Sequence, residues 1–375
     1  MHSKKHSLVF FLLITQVLIS LVCAIVYAAV IDIVNVGEYA FALKIFFIAL
    51  PLSFLASSFI SHKYDNWFSR SLYSFSAIWL GLLFYAFFTA ALYFIGLLAI
   101  LHLDMPLSQQ VLGAVLFLAA ALVVLFGFAN AGRIQVTKFH LSFPHLSEFW
   151  FDKRAVFVSD LHLGQVRGKG FAQTIVNKIN TINPDIIFIG GDLFDGVRVH
   201  ASEIIEPLRD LHPKLGIYFV TGNHEYMSGQ SAEFISVLEL IGIKVLKDEV
   251  VTIEGLQIVG VDYRDSVQTA AYDALFPLLT LDHSKPSILL KHTPFHIEIA
   301  EKHGIDVQLS GHTHHAQMFP GNIITKRLFK GYDYGLKTFG KMIVYTSSGV
   351  GTWGPPMRVG TKSELVVIDF KQNNT

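Results

Sequence analysis

The sequence predicts two dissimilar parts: a bundle of four membrane-crossing helices, then one layered α/β unit. Three observations predict it. The 375 residues are 52% hydrophobic and 15% charged, with a mean hydropathy of +0.48, too apolar for one ordinary water-soluble globule. That excess is confined to the first 131 residues, where four long stretches run almost without charge. After residue 133, short β-prone runs alternate with segments of helical periodicity, the pattern of a layered α/β unit.

The apolar stretches fall at residues 7–31, about 41–60, about 72–101 and about 107–130, each near or above the roughly 20 residues that a spanning helix needs. Lys4 and Lys5 precede the first as the charged end of a cleaved leader would. Its span exceeds the roughly 7–15 residues of a leader's apolar region, and three further spans follow. The third stretch is long enough to raise the alternative of a helix pair. Its only glycines, Gly81 and Gly96, break helices weakly in a membrane, and tilt or extension beyond the bilayer accounts for the length.

Loop charges orient the bundle. Lys4, Lys5, Lys63, Arg70, Arg133 and Lys138 flank alternate ends of the spans, whereas the other two loops carry Asp32, Glu38 and Asp104 without a Lys or Arg. The positive-inside rule therefore predicts an integral inner-membrane protein with both termini and everything after residue 131 cytoplasmic. Lys44, near the outer end of the second helix, reaches the interface by snorkelling. No charge lies at the middle of a span, which favours an anchor over a transporter. The aromatic run Phe84, Tyr85, Phe87, Phe88, Tyr93 and Phe94 reads as helix-packing and lipid-facing bulk.

The domain boundaries follow: an anchor over 1–131, a linker and entry strand over 132–150 with Pro144 at its bend, and an α/β domain over 151–375. The 29 basic and 29 acidic residues cancel, and no basic run is interleaved with aromatics, so a nucleic-acid partner is not expected. The single cysteine, Cys23, lies in the first span and leaves no disulfide within one chain. Buried strands are expected at 156–158, 186–189, 217–220, 258–261, 288–290, 307–309, 343–345 and 365–368. Phe171, Ile175, Ile179 and Ile182 mark a helix that Pro184 ends.

Polar clusters stand at the exits of five of these strands. They are Asp160-Leu161-His162, Gly191-Asp192-Leu193-Phe194-Asp195, Gly222-Asn223-His224-Glu225, His292, and Gly311-His312-Thr313-His314. Carboxylate, amide carbonyl and imidazole without thiolate suit manganese, iron, zinc or cobalt, and suit calcium poorly. Two such ions can hold a phosphoryl oxygen, generate hydroxide at neutral pH and offset charge on attacking and leaving oxygens. The residues thus point to a two-metal site for phosphate esters.

This ordered series resembles the calcineurin-like metallophosphoesterases over about residues 150–370. The tail, with Gly349, Gly351, Pro356, Arg358, Gly360 and Glu364, is similar to a membrane-associated bacterial branch that includes relatives acting on UDP-diacylglucosamine in lipid A synthesis. The resemblance implies a four-layer αββα sandwich after the transmembrane bundle. It implies that Asp160, His162 and His314 hold one divalent ion, that Asn223, His292 and His312 hold a second, and that Asp192 bridges them. It makes His224 the catalytic residue at the scissile phosphate and leaving oxygen, with Glu225 and Asp195 as outer supports. Manganese, zinc or iron are the expected metals.

One departure bears on substrate. His315 and Ala316 stand where many relatives of this branch have two glycines before the residue matching Gln317, so the pocket is narrowed or gains a contact there. Arg167, Lys169, His315 and Arg358 are candidate substrate contacts, each with a structural alternative: a solvated loop, or pairing within the fold. Trp353 reads as packing or as a bilayer contact. His200, His212, His283, His296 and His303 fall outside the clusters and read as surface or helix-end residues.

The expected function is a membrane-anchored metallophosphoesterase whose bridging hydroxide cleaves a phosphoester or pyrophosphate bond. Its substrate would be a membrane lipid or nucleotide-diphospho-lipid, since an enzyme held at a bilayer gains most from a substrate held there too. Soluble nucleotides or phosphoproteins are the alternative substrates. A non-enzymatic receptor or transporter with a regulatory metal domain is the alternative class.

Overall fold

A computed structural model describes residues 2–34 and 36–372, with side chains described from residue 13 onward. The side chains of Lys4 and Lys5 and the last three residues lie outside that description. The structure divides into two compact units: one of residues up to Ala129 together with Gly354–Met357, the other of Asn130–Trp353 and residues from Arg358 on. The expected 132–150 linker belongs to the second unit and supplies its first strand, while Gly354–Met357 leave the unit in which their sequence neighbours lie.

The first unit contains four helices long and apolar enough to cross a membrane: α1 (His2–Ile33), α2 (Ala40–Lys63), α3 (Trp67–His102) and α4 (Gln109–Ala131). Helix α3 runs unbroken through Gly81 and Gly96, so the helix-pair alternative falls. It starts at a reciprocal cap between Asn66 and Ser69. Arg70 in its first turn grips Asp65 with two hydrogen bonds of 2.7 and 3.0 Å. Gly81 admits the loop residues grouped with this unit: a Cβ there would lie 2.6 Å from the Met357 sulfur. Ser53, Ser57, Ser58 and Thr89 place their hydroxyls on carbonyls of their own helices, which satisfies them away from water.

The second unit is built on two six-stranded sheets. The first has the order β1 (Ile134–Leu141), β12 (Ser363–Phe370), β2 (Arg154–Val158), β3 (Ile186–Ile189), β4 (Ile217–Phe219), β5 (Ile243–Val245). The second has the order β10 (Gly335–Phe339), β11 (Met342–Thr346), β9 (Val307–Ser310), β8 (Ser287–Leu290), β7 (Leu256–Gly260), β6 (Glu249–Ile253). Strands β2 to β5 pair in parallel, as do β7, β8, β9 and β11.

Alternation along the strands makes three cores. Val156, Val158, Ile187 and Ile189 turn to one side of the first sheet, where Ile175, Val176 and Ile179 of α5 (Lys169–Ile182) and Phe234 and Leu238 of α6 (Ser231–Leu240) cover them. Ala155, Phe157, Ile186 and Phe188 turn to the other side and meet Ile288, Leu290, Val307 and Leu309 of the second sheet. Leu289 and Val344 face outward from that sheet onto Tyr272, Phe276, Ile297 and Ala300. Three cores between four layers are the αββα sandwich.

The expected strands all form. Strand β7 begins and ends earlier than the 258–261 expected, and β5, β6 and β10 were not anticipated. The hairpin of β6 and β7 turns on Glu254 and Gly255, both at positive φ, a dipeptide that lacks the usual Asn-Gly or Asp-Gly signal. Helix α5 ends on Asn183 in the left-handed conformation, immediately before Pro184. The remaining helix of eight residues is α7 (Gly321–Leu328).

Candidate metal centre

Every predicted cluster leaves the carboxyl end of a parallel strand. Asp160 and His162 follow β2, Asp192 follows β3, Asn223 and His224 follow β4, His292 follows β8, and His312 and His314 follow β9. The loops double back at once, and that geometry strains the backbone: Asp160, His162, Asp192, His312 and His314 all have φ between 48° and 70°. Two glycines admit close approach. A Cβ on Gly222 would sit 2.2 Å from Asp192 Oδ1, and one on Gly311 would sit 2.3 Å from Asp160 Oδ2.

The side chains converge in the way metal ligands do. Asp160, His162 and His314 offer ligand atoms within 4.8 Å of one another; so do His162, Asp192 and His224, and so do Asp192, His292 and His312. The Nε2 atoms of His162 and His314 face each other at 2.9 Å, and His292 Nε2 lies 3.1 Å from Asp192 Oδ2. His292 donates its Nδ1 hydrogen to the Gly190 carbonyl at 2.8 Å, which turns Nε2 into the site. Asn223 Oδ1 is buried without a hydrogen-bond partner, and His292 Nε2 faces the Asp192 carboxylate. A divalent cation fits this set: an orphaned ligand atom, one tautomer fixed from behind, and two carboxylates to balance charge.

Supporting groups fix the loops. Asp160 accepts the His312 N–H through both oxygens, at 2.9 and 3.1 Å, tying β2 to β9. Asp192 Oδ1 accepts the His224 N–H at 2.9 Å. Glu225, fully buried, accepts three backbone N–H groups, from Asp192, Phe194 and Gly222. Asp195 Oδ1 stands 3.7 Å from Nδ1 of both His162 and His224, beneath one ligand candidate and the catalytic candidate together.

The electrostatics describe the site without cations. Burial would raise Asp192, but His292 and His224 outweigh it and hold the carboxyl well below the ordinary range. Burial would lower His292, yet Asp192 and Asp160 overcome it and push the imidazole up to about 9. Burial and then His292 drive His312 down to about 3. Burial and the Asp192 charge push Glu225 up to about 7.

The four candidate substrate contacts divide. Arg167 is near the Trp353 loop, donating from Nε to Thr352 Oγ1 at 3.2 Å while its guanidinium lies over Phe171. Lys169 is instead spent on Glu206 at 2.9 Å on the exposed first turn of α5, so the structure does not bring it to the centre. Arg358 is fully buried, and its guanidinium donates to the carbonyls of Ser348, Gly349, Gly351 and His314. It therefore braces the loop behind His314, the structural pairing that the sequence left open beside a phosphate contact. His315 is partly exposed, with its ring stacked on Tyr334 at 4.6 Å and Nε2 3.8 Å from Asp333.

Three neighbours escaped the sequence reading. Lys291, buried beside His292, donates to Thr293 and to the Phe295 carbonyl and sets the turn after β8; a lone Lys inside an apolar strand end was the available signal. Gln317 clamps the Trp353 backbone, its amide donating to the carbonyl at 3.2 Å and its oxygen accepting the N–H at 3.0 Å. That holds the exposed Trp353 ring edge-on to His224, 6.0 Å away. The Tyr263 ring stands 6.1 Å from His292, with no spacing signal to mark it.

Fold and donor set together define a metal-binding αββα sandwich with its site where the parallel strands of both sheets end. The family model for calcineurin-like phosphoesterases matches residues 153–316. A metallophosphoesterase of Aquifex aeolicus is 37% identical over 221 residues, 57% of this chain and 83% of that protein. One from Helicobacter pylori strain J99 is 36% identical over 225 residues, 59% of this chain, and the match spans 60% of that relative's length. A Danio rerio protein named transmembrane protein with metallophosphoesterase domain is 29% identical over 347 residues, 85% of this chain and 77% of that one. The chain belongs to the calcineurin-like metallophosphoesterase family, as a member that carries four membrane-length helices.

Proposed function

We propose that the chain hydrolyses phosphoester or phosphoanhydride bonds at a centre of two divalent cations, manganese, zinc or iron by donor type. The observation that carries this reading is the pair of ligand groups on either side of Asp192, with the buried Asn223 Oδ1 left unpartnered beside them. Asp160, His162 and His314 would hold one cation and Asn223, His292 and His312 the other, with Asp192 between them. Bound cations supply Lewis acidity and activated water. Asp195 Oδ1, 3.7 Å from His224 Nδ1, would favour a proton on that nitrogen, and Nε2 would then meet the leaving oxygen. Glu225 holds the Asp192 and Gly222 backbones in place, and Arg358 holds the loop behind His314.

The favoured substrate class is a phosphate carried by a membrane lipid or nucleotide-diphospho-lipid, and the four-helix anchor supports it. Loop charge supports a cytoplasmic active site on the inner membrane. Purified full-length protein with manganese or zinc should hydrolyse an aryl phosphate diester or monoester and stop on chelation. Asp192→Asn should lose bound metal and hydrolysis together; wild-type protein that is inert with both metals overturns the reading. Turnover of lipid-linked against soluble nucleotide phosphates decides the substrate class, and a reporter fused at the C-terminus decides the side.

A further inference from the structure

From Gly311 to Tyr332 the chain carries Lys326, Arg327 and Lys330 and no Asp or Glu, although the whole protein balances 29 basic against 29 acidic residues. This charge centres on α7, which differs from the other long helices of its unit. Helix α5 buries Ala172, Ile175, Val176 and Ile179, and α6 buries Phe234 and Leu238, whereas none of the eight residues of α7 is buried. Its apolar side chains face outward: Ile323 is 50% exposed, Ile324 70% and Leu328 58%, with Phe319 just ahead at 50%. Ile324 and Leu328 are one turn apart and share a face. Four large apolar side chains on one short segment make a patch of the kind that marks an interaction surface.

The helix is fastened beside the metal ligands. Phe329, the residue after it, is buried with its ring 4.5 Å from Phe295 and edge-on to His312 at 6.2 Å. Lys326, Arg327 and Lys330 line one groove with His315, Asn322 and Ile323, and the nearby Asp333 carboxylate is buried behind His315 and Thr325.

We propose that α7 is an interfacial helix that docks on an anionic lipid leaflet. Phe319, Ile323, Ile324 and Leu328 enter the boundary between headgroups and acyl chains while Lys326, Arg327 and Lys330 meet lipid phosphates. An apolar stripe flanked by basic residues is the form such in-plane helices take. Each basic residue near an anionic surface contributes about fivefold in partitioning. Eight residues alone are too few to fold on a membrane, but here the body of the domain has already ordered them. The four membrane-length helices keep the chain at a bilayer, so the contact forms within one molecule and at high effective concentration. The contact is with the leaflet itself, whichever phosphate is hydrolysed.

The test uses full-length protein with Cys23→Ser and Ile324→Cys, nitroxide-labelled in nanodiscs of phosphatidylglycerol and phosphatidylcholine, with exposed Leu240→Cys as reference. The Ile324→Cys label should be relaxed by oxygen more than by a water-soluble nickel chelate, and the Leu240→Cys label the reverse. Joining Lys326→Glu, Arg327→Glu and Lys330→Glu to Ile324→Cys should move the label into water while metal content and melting temperature hold. A wild-type-charge label that is freely accessible to nickel in anionic discs overturns the proposal. So does one shielded from both reagents with label-to-label broadening, which would assign the patch to a second copy of the chain.

Discussion

The sheet containing β2, β3 and β4 brings two carboxylates, an amide and His162 to the centre, whereas the sheet containing β8 and β9 brings only the imidazoles of His292, His312 and His314. In the proposed centre one sheet would supply the negative charge that draws a cation, and the other the imidazole nitrogens that complete its shell. A cation between them would add a link between two layers that already meet through an apolar core and through hydrogen bonds such as Asp160 to His312 and His292 to Gly190. The difference teaches that affinity and layer cohesion draw on opposite sides of the same site.

The largest effect should separate the sheets directly. Asp192→Asn removes the charge that both ligand groups face and is expected to cost about 10³-fold or more in kcat, whereas His312→Asn should cost less because excess metal restores part of it. Equal losses that metal does not relieve, measured by steady-state kinetics across a metal titration, would break the comparison. Chelation comes next. If metal is normally present at about a hundred times its dissociation constant, its removal costs about 2.7 kcal/mol and should lower the melting temperature of the α/β unit by roughly 5–10 °C. An unchanged melting temperature would mean the cation does not hold the layers.

The pH response of metal loading sharpens the same point. With no cation bound, His292 keeps a proton up to about pH 9, and a cation must displace it. Apparent metal affinity, followed by calorimetry, should thus rise about tenfold per pH unit up to that value and flatten beyond it. The smallest effect lies at Asp248, where the chain crosses from β5 to β6 and so from one sheet to the other. Burial, reinforced by Asp265 and Asp262, pushes its carboxyl up to about 6, above the unfolded value. Its ionisation then opposes folding fully above pH 6 and not at all below the unfolded pKa. Asp248→Asn should raise the melting temperature by about 1–2 °C at pH 7.5 and leave it unchanged at pH 3.5.

The ligand candidates were legible because each follows a short apolar run by two to five residues, and a strand's direction decides where its exit lies. The spans were legible from length alone. Arg358 stayed open between a phosphate contact and pairing within the fold because sequence spacing carries no depth: the same guanidinium that suits a phosphate also suits a ring of loop carbonyls, and burial favours the latter. Lys169 fell to a neighbour, Glu206, that lies 37 residues away in sequence but one ion pair away in space. Strand β5 is three residues long, too short to write an alternation, and the edge strand β10 buries none of its residues and so carries little apolar signal. The apolar residues of α7 carry a helical pattern, but a pattern does not say whether its greasy face turns inward or out.

The left-handed backbone at Asp160, His162, Asp192, His312 and His314 has a consequence in the genetic code. Asp, Asn and His are the side chains best able to rest in that conformation after glycine, and their codons differ only in the first base. One nucleotide change can thus delete a ligand while leaving its loop undisturbed. A descendant that keeps the sandwich and the shape of the cleft but no longer holds metal would therefore be a single step away, as Asn at position 192.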